Sequence, residues 1–115
     1  MSEDCLFCNI ISKKIPARIV HEDSETLAFE DINPQAPVHI LIIPKTHIER
    51  TYNLNAENIH IVGQLILIAN QIARNNHVDK KGYRLVLNCN SDAGQSVFHI
   101  HIHLLGGRKM NWPPG

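Results

Sequence analysis

The sequence lacks the features that would direct a chain to a polyanion or into a bilayer. Its eleven basic side chains balance eleven acidic ones, so no net field attracts nucleic acid or a membrane surface. No apolar run approaches the roughly 20 residues that span a bilayer, and the acidic pair Glu3 and Asp4 does not fit the basic-then-apolar start of a signal peptide. We therefore expect neither nucleic acid nor a membrane as a partner, and a cytoplasmic location.

Cysteine is scarce as well. The chain has three, two of them spaced as Cys5-x-x-Cys8, which is too few for a disulfide framework. Its 115 residues contain no internal repeat or linker, and 43% hydrophobic with 19% charged residues is an ordinary globular balance. The sequence therefore predicts one domain over residues 1–115. Histidine is abundant, with eight copies of the one side chain that titrates near neutral pH unperturbed.

Turn residues and hydrophobic periodicity predict two helices and about five strands. The helices are expected at residues 5–14, ended by Pro16, and at 55–76, capped by Asn55. The strands are expected at residues 19–21, 26–29, 38–43, 83–88 and 97–105. Because the connections between strands are of hairpin length, we expect an α+β fold: an antiparallel sheet of about five strands with one long and one short helix.

The long helix carries two adjacent apolar stripes. One contains Val62, Ile66, Ala69 and Ala73, and the other contains Ile61, Leu65, Ile68 and Ile72. One stripe suffices to cover a sheet, so the second favours a partner surface and a homodimer. The alternative is a helix buried deep in one core, which 115 residues scarcely have the material to surround.

Histidine alternates with apolar residues near the end of the chain. In a strand, His99, His101 and His103 share one face, and a rise of about 3.3 Å per residue sets neighbouring rings about 6.6 Å apart. Such a row suits a pocket in which one ring attacks while a neighbour handles charge or protons. Imidazoles at i and i+2 are also a common zinc pair, and a solvated face that merely uses histidine is the third interpretation.

A polar loop at residues 88–96 precedes this strand. Gly94 permits close backbone approach to a ligand, and Ser96 adds a hydroxyl beside backbone amides, a combination that suits phosphate oxygens.

These segments together resemble the histidine-triad (HIT) superfamily and, more narrowly, its Hint branch of nucleotide-binding proteins. The resemblance runs from about Cys5 to the last residue. It is carried by HIHIH at 99–103, DINPQAPVH at 31–39, IPKTHI at 43–48, GQSV at 94–97 and GGRKMNWPPG at 106–115. It implies a HIT-like fold whose sheet continues across a homodimer. It also implies a phosphoramidase that converts purine nucleoside phosphoramidates and related adenylates to a nucleoside monophosphate through a nucleotidyl-histidine.

The resemblance also implies roles for particular residues. His101 matches the nucleophile, His39 its support from a neighbouring strand, and His103 a ligand of phosphate oxygen. Ser96 completes the catalytic group and, with Asn88 and the amides around Gly94, matches contacts to the phosphate and leaving group. Asp31 matches the acceptor of both ribose hydroxyls. The apolar walls of the purine slot match Phe7, Ile10, Ile15, Phe29 and Ile32. Trp112 matches the segment that shapes the leaving-group side, partly across the dimer.

A metal site is the second implication. Where the superfamily binds zinc, its ligands correspond to Cys5, Cys8, His47 and His99, a complete Cys2His2 set for a closed structural site. His99 would then be structural, and the chemistry, which needs no cofactor, would rest on His101, His103 and His39. The opposing interpretation makes the two cysteines small apolar residues of a short helix.

Two other functions compete with the phosphoramidase. One is a nucleotide-binding regulatory module with incidental hydrolysis, which would have no need of a nucleophile at His101. The other is hydrolysis of dinucleoside polyphosphates. The Gln95-Ser96 pair and the tail containing Trp112 look more like the phosphoramidate branch.

Overall fold

The computed structural model describes residues 4–115. Its helices are α1 (Leu6–Ile11) and α2 (His60–Asn75), with 3-10 turns at Thr51–Asn53 and Ser91–Ala93. Its strands are β1 (Ile19–Glu22), β2 (Thr26–Glu30), β3 (Val38–Pro44), β4 (Tyr83–Val86) and β5 (Ile102–Gly106). The predicted α+β fold with a five-stranded antiparallel sheet, one long helix and one short helix is confirmed.

The sheet has the strand order β1-β2-β3-β5-β4, and every neighbouring pair is antiparallel. β3 lies at its centre because the run from Val38 to Pro44 is almost wholly apolar, and a strand in that position is covered on both faces. β1 and β4 are the two edges.

The sheet separates two apolar layers because alternate side chains of its strands point to opposite faces. Ala28, Ile40 and Ile42 belong to the layer beneath α2, together with Leu104 of β5. The intervening positions pack in the layer beneath α1. That second layer contains Cys5, Phe7, Cys8, Ile10, Leu27, Phe29, Leu41 and Ile43.

Both helices are shorter than the sequence predicts. α1 ends at Ile11 rather than before Pro16, because Lys13 takes a left-handed conformation with φ of 67° and the amides of Lys14 and Ile15 turn back to the carbonyl of Asn9. α2 begins at His60. Asn55 caps the turn at residues 56–59 that leads directly into it, with its side-chain oxygen accepting from the amide of Asn58 at 3.1 Å.

The partition of α2 into a core stripe and a partner stripe is wrong. Leu65 and Ile68 are buried with Ala69, Ile72 and Ala73, so the core face takes members of both predicted stripes. The exposed apolar residues of this region are Ile59, Ile66 and Leu67. The reason is helical geometry: at 100° per residue, the face that meets the sheet lies between the two stripes.

The last strand begins later than predicted. β5 starts at Ile102, and residues 97–101 lie outside regular pairing. β3 pairs with β5 only as far as Ile42 opposite Ile102. On the N-terminal side of Ile102, the amide of Ile100 donates instead to the carbonyl of Ile48 at 2.7 Å. His101 and the residues that precede it therefore lie outside the ladder. Between residues 4 and 115, no helix has the length and apolar character needed to cross a bilayer.

Candidate functional site

A cavity of about 250 Å³ lies between α1 and the sheet. It is lined by side chains from α1 and the segment after it, from the end of β2 and the residues that follow, and from the stretch that enters β5. Those lining residues are Leu6, Phe7, Ile10, Ile15, Pro16, Ala17, Phe29, Glu30, Asp31, Ile32, Leu41, Ser96, Val97, His101 and His103. The structure thus brings nine of the predicted site residues to one cavity.

His101 is held as a neutral ring with one particular tautomer. Its Nδ1 lies 2.8 Å from the carbonyl oxygen of His99, and because a carbonyl only accepts, Nδ1 carries the proton. Nε2 therefore keeps its lone pair. Burial lowers the pKa of His101, partly offset by the bond to His99 and by Asp31, which favours the unprotonated form that a nucleophile requires.

A chain of hydrogen bonds sets the tautomers of the two neighbouring histidines. The backbone amide of Gln35 donates to Nδ1 of His39 at 3.0 Å, so the proton of a neutral His39 is on Nε2. That nitrogen lies 2.9 Å from Nδ1 of His103 and 3.4 Å from Oδ2 of Asp31. With Nδ1 of His103 accepting, its proton is on Nε2, where it is available to an oxygen of a ligand.

Both rings of this pair are disposed to be neutral. Burial, together with the neighbouring His101 and His39, lowers the pKa of His103 to about 4 against a raising effect of Asp31. Burial also lowers the pKa of His39, with Asp31 acting in the opposite sense. The ring centroids of His101 and His103 are 5.0 Å apart, so the unprotonated Nε2 of His101 and the Nε2–H donor of His103 belong to adjacent rings.

The loop before β5 is organised by a residue whose role the sequence did not reveal. Gln95 is buried, and its side-chain amide donates to the carbonyls of Glu49 at 2.8 Å and Val97 at 3.1 Å while its oxygen accepts from the amide of Asn90. Gln95 thereby holds Ser96 at the cavity. The sequence signal that could have identified it is a side chain with both a donor and an acceptor group between Gly94 and Ser96, in a loop whose backbone groups lack strand partners.

Four residues predicted for catalysis or nucleotide binding are not in the cavity lining. His39 is one of them, and it contacts His103 instead. Gly94 is exposed in the left-handed conformation with φ of 92°, where it ends the Ser91–Ala93 turn. Asn88 follows β4 and does not line the cavity. Trp112 is 81% exposed. Its ring centroid lies 6.0 Å from the guanidinium carbon of Arg84, a residue of β4. The cavity wall also contains residues that sequence reasoning missed, namely Leu6, Pro16, Ala17, Glu30, Leu41 and Val97.

The four predicted metal ligands meet beside the cavity. Donor atoms of Cys5, Cys8, His47 and His99 all lie within 4.8 Å of one another. The Cys5 Sγ to His99 Nδ1 distance is 3.5 Å and that from Cys8 Sγ to His47 Nδ1 is 3.3 Å. Cys8 Sγ is 3.7 Å and His47 Nδ1 is 3.1 Å from His99 Nδ1.

These distances fit a tetrahedral ion. Zinc bonds of about 2.3 Å to sulfur and about 2.0–2.1 Å to nitrogen separate tetrahedral ligand atoms by about 3.3–3.8 Å. The tautomer fits as well, because Nε2 of His99 donates to the carbonyl of Pro44 at 2.8 Å and leaves the Nδ1 lone pair toward the cysteines. The four residues thus form a possible metal site with both sulfur and nitrogen donors.

Fold and site together define a class: an α+β domain with a five-stranded antiparallel sheet and a cavity beside it that is lined by His101 and His103. The HIT domain family matches residues 12–110, and the chain belongs to that family.

Relatives and solved structures agree with this assignment. The chain is 50% identical over 115 residues to an uncharacterized HIT-like protein of Synechococcus elongatus, covering 100% of both. It is also 50% identical to a 14 kDa zinc-binding protein of Brassica juncea, covering 97% of this chain and 100% of that protein. The structure of a HIT family hydrolase from Legionella pneumophila superposes with a TM-score of 0.95 at 50% identity, covering 97% of this chain and 100% of that one.

Proposed function

We propose that the protein is a hydrolase of the Hint branch that cleaves purine nucleoside phosphoramidates and related adenylates to a nucleoside monophosphate. One observation carries the proposal. His101 lines the cavity with its Nδ1 proton committed to the carbonyl of His99, which leaves Nε2 as an unprotonated nucleophile beside His103. The relation to a HIT family hydrolase supports the reaction class.

The reaction follows from these positions. Nε2 of His101 attacks the α-phosphorus, the phosphorus–nitrogen bond breaks, and the amine leaves with a proton from water. Ser96 donates a hydrogen bond on the leaving-group side, and Nε2–H of His103 donates to a phosphate oxygen as charge develops. Water then attacks the nucleotidyl-histidine, which releases the nucleotide and restores His101.

The rest of the cavity supports selection of a ribonucleotide. Phe7, Ile10 and Phe29 provide an apolar wall suited to a purine, with Ile15 and Ile32 at its margin. Asp31 is part of the same lining, and its carboxylate accepts from the ribose hydroxyls. Its Oδ1 already accepts from the amide of Asn33 at 2.8 Å, which fixes the orientation of the group.

The metal that fits the four-residue cluster is zinc. Cys5, Cys8, His47 and His99 would hold it. Because a Cys2His2 set fills a tetrahedral shell, the ion would supply structural cross-linking rather than an open coordination position. The zinc-binding name of the Brassica relative supports the same choice.

The assembly is a homodimer formed through the free edge of β4 and the neighbouring face of α2. The Tyr83 hydroxyl of β4 donates to Asn70 of α2 at 2.6 Å, which locates the side of the helix that borders this edge. Ile59, Gly63 and Ile66 lie on that side at helical spacing, with the isoleucines 51% and 40% exposed and open space above Gly63. A second copy would cover both the edge and the apolar face.

A substrate comparison tests the function. Purified protein should hydrolyse an adenosine 5′-phosphoramidate at least about tenfold more efficiently than a diadenosine polyphosphate, in kcat/KM. The reverse order would show the dinucleotide hydrolase. Tight AMP binding without turnover of either compound would identify a regulatory binding module and overturn the proposal.

A further inference from the structure

His99 takes part in two adjacent structures at once. Its ring is fully buried and supplies Nδ1 to the cluster with Cys5, Cys8 and His47. Its backbone carbonyl accepts the Nδ1 proton of His101 at 2.8 Å. Rotation or displacement of residue 99 would therefore move the group that defines which nitrogen of His101 is free.

Helix α1 makes a second link between the cluster and the cavity. Cys5 is its N-cap and its Sγ accepts from the amide of Cys8 at 3.3 Å, so both sulfurs belong to one turn. Phe7 lies between them in the chain. Its ring meets His101 edge-on with centroids 5.0 Å apart, and it also contacts His99 at 5.8 Å. One turn later, Ile10 lines the same cavity.

The segment that carries the remaining ligand makes a third link. His47 is followed by Ile48, whose carbonyl accepts from the amide of Ile100 at 2.7 Å. Nε2 of His99 donates to the carbonyl of Pro44 at the end of β3. Residues 97–101 have no regular strand pairing, so these bonds and the cluster hold the nucleophile segment in place.

We propose that the Cys2His2 centre positions the active site. Metal loading would set the position of His101 through His99, and that of the apolar wall of the purine slot through Phe7. His99 and Phe7 are positioning residues in this scheme. The inference rests on the proposed function for its kinetic consequence, and on zinc fitting the cluster. The alternative is a purely structural metal site that stabilises the N-terminal helix and leaves the chemistry unaffected.

The first experiment compares wild-type protein with and without Zn²⁺. Chelator-treated protein that retains its far-UV circular dichroism should form nucleotidyl-histidine about 10- to 100-fold more slowly in a single turnover, because small displacements of a nucleophile have effects of this size. AMP should bind several-fold more weakly. Added Zn²⁺ should restore both quantities.

A spectroscopic measurement tests the same coupling without turnover. Long-range ¹H–¹⁵N correlation of the imidazoles should report a single Nδ1–H tautomer for His101 in loaded protein. In the Zn²⁺-free protein it should report a mixture of tautomers. This readout distinguishes positioning from stabilisation, because a purely structural metal site would leave the tautomer of His101 unchanged in the folded molecule.

The variant Phe7→Leu isolates one of the links. It keeps all four ligands and should bind one Zn²⁺ per chain. Because the ring contact with His101 is gone, the effect of Zn²⁺ on AMP affinity should shrink to within about threefold, from a several-fold effect in the parent. Ile72→Val, which removes one methylene from the core beneath α2, should keep the full effect and controls for lost packing.

Three results would overturn the inference. In the first, Zn²⁺-free protein forms nucleotidyl-histidine at the same rate as the loaded form and gives the same His101 signals. In the second, Zn²⁺ changes the AMP affinity of Phe7→Leu as much as that of Ile72→Val. In the third, the chain binds no Zn²⁺. Absence of phosphoramidate turnover in loaded protein would refute the proposed function instead, and the AMP and tautomer measurements would still decide the coupling.

Discussion

At the residue scale, the three histidines of the HIHIH segment differ in what their second nitrogen contacts. His99 donates from Nε2 to Pro44, His101 donates from Nδ1 to the carbonyl of His99, and Nδ1 of His103 faces Nε2 of His39. These contacts leave a free Nδ1 lone pair on His99, a free Nε2 lone pair on His101 and a free Nε2 proton on His103. In the proposed function these groups would serve a metal, the phosphorus and a phosphate oxygen respectively.

Replacing the nucleophile gives the most direct test. His101→Ala should lower phosphoramidate turnover by at least about 1000-fold, because removal of a covalent nucleophile leaves only binding and electrostatic contributions. AMP should still bind, since Asp31 and the apolar wall are untouched. The measurements are steady-state kinetics and calorimetric titration with AMP. Turnover within tenfold of the parent would refute the assignment of His101.

The pH dependence of stability tests the neutral state of His103. Burial, the first cause, and the adjacent His101 and His39 lower its pKa from the ordinary 6.5 to about 4, while Asp31 opposes them. The unfolded chain therefore binds the proton more readily between pH 6.5 and 4. Stability should be fully present above pH 6.5 and should decline as the pH falls through this window.

The measurement is the free energy of unfolding at intervals from pH 7 to pH 4.5. Other buried histidines add to the slope, so wild type is compared with His103→Gln. The variant should have a shallower slope, by at most about 1.4 kcal/mol per pH unit, the contribution of one proton. Identical slopes would mean that His103 has the same pKa in folded and unfolded chains.

At the scale of elements, the register of β3 and β5 determines which side chains reach the cavity. Leu41 pairs with His103 and His39 with Leu105, so His39 and His103 lie on the same face, diagonal across two strands. Apolar residues at the intervening positions anchor the opposite face to α2. A one-residue slip would turn the histidines into the core beneath α2, so the burial of Ile40 and Leu104 indirectly protects the site.

The dimer is tested on the exposed face of α2. Ile66→Glu should shift the protein toward monomer, because it places a charge in the apolar face beside β4. Gln71→Glu adds the same charge to an exposed position on another side of the helix and should have no effect. A charge at Ile68 would disrupt the core instead, because that side chain is only 7% exposed.

Sedimentation velocity at micromolar concentration gives the answer. The parent and Gln71→Glu should sediment as a species of twice the 13.0 kDa chain mass, and Ile66→Glu should populate the monomer. A parent that sediments at the mass of one chain would refute the dimer.

At the scale of the whole molecule, two apolar layers are joined to one sheet, and the layer beneath α1 is thin. It rests on one helix of six residues, which is too short to be stable alone. The cluster of Cys5, Cys8, His47 and His99 connects that helix to the segments that follow β3 and precede β5. A metal bound there would cross-link the second layer to the sheet.

Zinc should therefore bind with a stoichiometry of one per chain and stabilise the fold. At a free concentration 100 times the Kd, binding adds about 2.7 kcal/mol, or a rise in Tm of roughly 10 °C for a domain of this size. Affinity should fall as the pH is lowered, because thiolates bind the ion. Elemental analysis of protein purified without affinity metal, with thermal unfolding of Cys8→Ser beside the parent, measures both. A metal content near zero would make the cysteines ordinary core residues.

Local pattern in the sequence determined the class of fold and predicted nine of the fifteen residues that line the cavity. Alternation along residues 99–103 predicted one strand with the three histidines on one face. β5 includes only His103 of the three, and within β5 the alternation holds, with Ile102 and Leu104 on the opposite face. Turn residues and periodicity predicted the five strands in their order along the chain. Side-chain period depends only on neighbouring backbone geometry, which is why a linear pattern suffices for it.

The tertiary structure decided what depends on distant segments. The face of α2 that meets the sheet includes Ile68 and leaves Ile66 exposed, because packing on the sheet selects the helix face that lies between the two predicted stripes. Residues 97–101 leave the ladder because Ile48 supplies a competing carbonyl. The tautomer of His101 depends on one backbone oxygen 2.8 Å away. Contacts of this kind form only in the folded chain, and no spacing along the sequence encodes them.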